Sequence, residues 1–78
     1  MTLELRDRIV VDRDILAGKP IVRGTRISIE QVLGHLADGW SESDILAEYP
    51  SLTHDDIIAC LGYAHDLVSE ESLFHTAA

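Results

Sequence analysis

Seventy-eight residues, 46% of them apolar, suffice for one small domain and leave little room for a second. A chain of this size buries only about 60% of its unfolded surface, so a deep-clefted enzyme is disfavoured and an oligomer is expected. The net charge of −8 conceals a division, because all six basic residues lie within residues 1–26, against four acids, while residues 27–78 hold ten acids and no Lys or Arg. Two accounts of this acidity stand side by side. It is a solvated surface that keeps the chain soluble, or it is a surface suited to a basic partner, leaving polyanions to the first third.

The single cysteine, Cys60, can form no internal disulfide and fits a reducing compartment. The charges at Glu4, Arg6, Asp7 and Arg8 interrupt the apolar core that a signal peptide needs, and no apolar run reaches the ~18 residues of a membrane span. A cytoplasmic protein with no membrane contact is the expectation.

The elements follow in chain order. Residues 1–7 form an N-terminal arm, and residues 8–70 form one domain. Within it, residues 8–27 are a strand region and residues 28–70 a helical bundle; residues 71–78 are a helix end and a frayed tail. Arg8-Ile9-Val10-Val11 and Ile21-Val22-Arg23 predict two short strands, with turns at Gly18-Lys19-Pro20 and Gly24-Thr25. Such strands must pair with each other, cover the helices, or pair with a second copy of the chain. Ser28-Ile29-Glu30-Gln31 is a capping box in which Gln31 can reach back to the cap. Ile29, Val32, Leu33, Leu36 and Trp40 follow at helical spacing, and Gly39 ends the helix. Gly34 inside this helix signals a close approach or simple toleration. Ser41 caps a second helix that turns Ile45, Leu46 and Tyr49 inward and stops before Pro50. Thr53 caps a third helix, with Asp55 and Asp56 in its first turn, where the helix dipole favours acids. The outline is an α+β fold, mainly α: short N-terminal strands followed by a trihelical, homeodomain-like helix-turn-helix bundle.

The ordered set Gly18-Lys19-Pro20-Ile21, Gly24-Thr25-Arg26-Ile27, Gly39-Trp40-Ser41, Tyr49-Pro50-Ser51-Leu52-Thr53, Asp56-Ile57 and Tyr63-Ala64 resembles the bacterial domain-of-unknown-function family 433. The resemblance covers about residues 9–68. It implies a VapB-type antitoxin of a type II toxin–antitoxin pair, with a PIN-like ribonuclease toxin as partner, operator DNA as a further one, and a homodimer as the working form. The sequence departs from the family pattern at Arg13, where a proline is usual after the aspartate.

Catalytic chemistry finds no support in the spacing. Gly24-Thr25-Arg26 lacks the spaced glycines and the Lys-Ser/Thr of a phosphate loop. His35, His54, Cys60 and His65 do not fall at metal-ligand spacing; Cys60 and His65, five apart, diverge by ~140° on a helix. Cys60 has no basic neighbour in sequence to activate it. No catalytic residue, metal or cofactor is expected.

Two binding surfaces are expected instead. The third helix would be the reading helix of a helix-turn-helix, yet Asp55 and Asp56 would be repelled by phosphate. DNA contact therefore falls to the basic strand region, Arg8, Arg13, Lys19, Arg23 and Arg26, with Arg26 alternatively paired to Asp38 or Glu30. On a helical wheel, Ile57, Ile58, Leu61, Ala64 and Val68 form one stripe of the third helix; Cys60, Tyr63, Leu67 and Phe74 form a second. Together they span ~220°, twice what packing on one core requires. Either the helix is central and wrapped, or the second stripe (Cys60, Tyr63, Leu67, Phe74) meets another chain. The leading function is an antitoxin-like module; a stand-alone transcriptional regulator and a dimerisation module without nucleic-acid activity are the alternatives.

Overall fold

The computed structural model describes the backbone of residues 3–75 and the side chains of residues 5–69. One helical turn, α1 (Leu3–Arg6), precedes strand β1 (Ile9–Val11). A single turn carries no periodicity to detect, and α1 forms because it packs on the last helix. Strand β2 (Pro20–Val22) pairs antiparallel with β1, matching Ile9 with Val22, Val10 with Ile21 and Val11 with Pro20. The segment between the strands contains a 3-10 turn, Leu16–Gly18, in which Leu16, Ala17 and Gly18 all have positive φ. Two of these three lack glycine's freedom, so the bend is strained. Helices α2 (Ile29–Ala37), α3 (Glu42–Glu48) and α4 (His54–His75) then pack on one another. The α+β, mainly helical fold expected from the sequence is the observed one.

Each helix start has a local cause. Ser28 Oγ accepts the Gln31 N–H at 2.9 Å. The reciprocal half of that expected box is absent, because the Gln31 amide donates instead to Tyr49 Oη at 2.7 Å, linking α2 to the end of α3. Ser41 and Asp44 form the full reciprocal box at α3, and the Ser41 N–H holds the Asp44 carboxyl below the usual range. Thr53 and Asp56 form the same reciprocal pair of bonds at α4, at 2.9 and 3.3 Å. At the end of α2, Gly39 takes φ 93° while Trp40 N–H reaches His35 O and Gly39 N–H reaches Leu36 O. This is the glycine-terminated helix stop that its position suggested. Gly34 has open space where a Cβ would sit, so toleration, not a close approach, explains it.

The core gathers Val22, Ile29, Val32, Ile45, Leu52, Ile57 and Cys60, one or more from β2 and from each of α2, α3 and α4. Leu33, Leu36, Trp40, Tyr49 and Tyr63 cover its margin. Trp40 stacks on His35 with ring centroids 4.1 Å apart, and His35 Nε2 lies 2.8 Å from Tyr49 Oη in a hydrogen bond. That cluster fastens the turn between α2 and α3 to the body.

Candidate functional site: a projecting helix face and its groove

The expected basic surface does not hold together. Arg8 donates to Asp56 at 3.0 Å and lies 3.6 Å from Asp55, pinning the strand region to the first turn of α4. Lys19 pairs with Glu30 at 2.8 Å, which holds the Glu30 carboxyl below its ordinary pKa. Arg23 Nε donates to the Asp7 carbonyl at 2.7 Å. Three of the five proposed DNA-contacting residues are thus engaged with their own chain. Arg13 and Arg26 are exposed and make no ion pair among the described residues. The expected pairing of Arg26 with Glu30 or Asp38 does not occur, since Lys19 takes Glu30. The first turn of α4 is an unpromising reader of phosphate: its acids are present, and Arg8 and the Thr53–Asp56 cap fill it.

The helix wheel divides α4 into two stripes around its axis; the structure divides it along its axis. In the first half, Ile57, Ala59 and Cys60 are buried to 2%, 0% and 0% exposure. Cys60 therefore belongs to the chain's own core and not to an interface, a correction to its placement on the outward stripe. Burial, reinforced by the Asp56 charge, raises its thiol pKa to about 12, which leaves it inert as a nucleophile. In the second half, Leu67 and Val68 stand 46% and 62% exposed; in the first, only the outward side opens to solvent, at Leu61 with 44% exposure. Tyr63 is half-buried at the boundary, packing on the core with one side. Phe74 lies outside the residues whose side chains are described.

Between this second half and the start of α2 runs a groove of about 570 Å³. Ile29 and Leu33 form one wall; Tyr63, Ala64, Leu67 and Val68 form the other; Lys19, Pro20 and Glu30 stand at its end. Ala64 and Leu67 continue the line of Cys60 at i+4 and i+7, so one continuous apolar face is covered by the chain's own core and then emerges from it.

The model of the protein of unknown function, DUF433, matches residues 9–64, from β1 through the packed half of α4. The chain belongs to the DUF433 family. Its fold agrees with the crystal structure of a DUF433 member from Anabaena variabilis ATCC 29413: the TM-score is 0.75 at 23% identity, covering 90% of this chain and 80% of that one. The uncharacterized protein y4eO of Sinorhizobium fredii is 37% identical over 59 residues, 76% of this chain. The chain spans about a quarter (27%) of that relative's length.

In this DUF433 chain, no three His, Cys, Asp or Glu side chains among the described residues gather as a metal-binding group. No described helix is long and apolar enough to cross a membrane. Sequence reasoning missed the groove's α2 wall. Leu33 reads as a core residue from its spacing, and nothing local reveals that its outer side faces the projecting half of α4.

Proposed function

We propose that this DUF433 chain is a protein-binding module of the antitoxin type, which holds and neutralises a PIN-like ribonuclease. The observation that carries the reading is the exposed apolar second half of α4. It opens onto a groove lined mostly by residues 27–78, a segment with ten acids and no Lys or Arg. Apolar area of this kind, rimmed by charge, suits a docking surface more than catalysis. An acidic surround suits a ribonuclease whose substrate path is basic: charge speeds and orients the encounter, and apolar anchors such as Tyr63 and Leu67 hold it. The module itself has no catalytic role in this reading.

The test is to look for a small PIN-like reading frame abutting this one, co-express the two, purify any complex, and assay the partner's ribonuclease activity with and without one equivalent of this chain. Stoichiometric inhibition is expected; a partner that neither co-purifies nor loses activity would overturn the reading.

A second reading, DNA contact, rests on one observation: Arg13 and Arg26 are exposed and unpaired among the described residues. Changing both to Ala should weaken any DNA binding and flatten its logarithmic salt dependence by about 2.

A further inference from the structure

The groove beside α4 has two properties that together narrow what can fill it. Its walls are apolar along their length, and the polar groups at its end are already tied to each other, Lys19 to Glu30 at 2.8 Å. Apart from the Tyr63 hydroxyl, the lining offers a small polar ligand no polar side chain outside that ion pair, whereas such ligands are oriented by several convergent donors and acceptors. A row of aliphatic side chains at helical spacing finds matching walls, as in other helix-in-groove contacts.

Charge selects among helices. Among the described residues lining the groove Lys19 is the one cation, and Glu30 neutralises it. Beyond Arg26 every formally charged side chain is acidic, including Asp66, Glu70 and Glu71 on the second half of α4. The sole ion pair of Asp66 with a fixed cation among the described residues, to Arg6 at 4.0 Å, is long and exposed and cancels little. A second copy of this chain would set −8 against −8, a like-charge encounter that physiological salt screens only beyond ~8 Å.

We propose that the groove receives an amphipathic helix of a partner protein, its apolar face laid between α2 and α4 and its flanks bearing Lys or Arg. The proposal rests on the protein-binding reading above and specifies its surface and the chemistry of its partner. Leu33, Ala64, Leu67 and Val68 are the contact residues; the acidic excess of residues 27–78 attracts the basic flanks.

The probe is a labelled synthetic helix of about 14 residues with Leu at i, i+3, i+7 and i+10 and Lys on both flanks, beside a twin with every Lys replaced by Glu. Binding is followed by anisotropy, and its location by amide chemical shifts of the full chain. The basic helix should bind at least about tenfold tighter than the twin, lose that margin in high salt, and shift the amides of Leu33, Ala64 and Leu67. Leu67→Ser with Val68→Ser should weaken it about tenfold while the helical signal and Tm stay unchanged, because both side chains are exposed in the free chain. Equal binding of the two helices, shifts centred elsewhere, or indifference to the double substitution would overturn the proposal. So would a homodimer that the double substitution dissolves while neither helix binds, since a second copy would then be the occupant. The outcomes also separate from those of the antitoxin reading. A ribonuclease complex that survives the double substitution sinks the groove and keeps the antitoxin, whereas a captured basic helix beside an uninhibited ribonuclease does the reverse.

Discussion

The first and second halves of α4 carry similar apolar residues in opposite surroundings. Ile57 and Cys60 are enclosed by β2, α2 and α3; Leu67 and Val68, about two to three turns further along the same face, line the groove and stay 46% and 62% exposed. An apolar stripe therefore does not define its own partner. What decides is how far the rest of the chain extends along the helix, and in 78 residues it extends about half way.

The largest expected contrast tests that division directly. Ile57→Ala should cost about 2–4 kcal/mol in urea unfolding, by lost transfer energy and a residual cavity. Leu67→Ala should cost less than about 0.5 kcal/mol in the isolated chain. Equal costs would place both halves in one core and leave no surface to dock on.

The thiol of Cys60 sharpens the same comparison through pH. Its folded pKa of about 12 exceeds the ordinary 9.0, so its stabilisation is complete below pH 9 and is lost as the pH rises towards 12. By pH 11 this group alone should remove about 2–3 kcal/mol, a slope that Cys60→Ala would lack when the two are titrated side by side. Rapid alkylation of the native thiol at neutral pH would show instead that the first half of α4 is open.

Neighbouring acids at the start of α4 should separate next. Asp56, 6% exposed, closes the Thr53 cap and receives Arg8, whereas Asp55 has only a 3.6 Å approach from the same guanidinium. Asp56→Ala should cost about 1–2 kcal/mol by thermal or urea melting, and Asp55→Ala no more than about 0.5 kcal/mol. The smallest effect is a gain. Gly34→Ala, on an exposed helix position with room for a methyl group, should add about 0.5–1 kcal/mol. A loss there would mean that α2 is approached more closely than its surroundings indicate.

Much of the fold was legible because its signals are local. Ser28, Ser41, Thr53 and Gly39 mark helix ends through bonds to residues three positions away, and Pro50 by lacking the N–H that would continue α3; all five act where their spacing placed them. The functional surface was less legible because its determinants are distant. Arg8 meets Asp56 across 48 residues of chain, and no sequence pattern distinguishes it from the unpaired Arg13. The outward face of α4 was partly readable: its apolar residues exceed what one core covers, and Leu67 is exposed on the outward stripe. Cys60, on that same stripe, is buried: a helical wheel contains angle but no height, and only height tells where the enclosing body ends.

The stack of Trp40 on His35 has a practical consequence. Trp40 is the chain's one tryptophan, it seals the margin of the core, and it is absent from the groove lining. Its emission is a gauge wired to only one of the two halves of the molecule: unfolding of the body must change it, while occupancy of the groove alone need not. A charge such as Leu67→Asp can thus be sorted in one cuvette, since a variant with native Trp40 emission has lost a surface and a variant with a solvent-like spectrum has lost the fold.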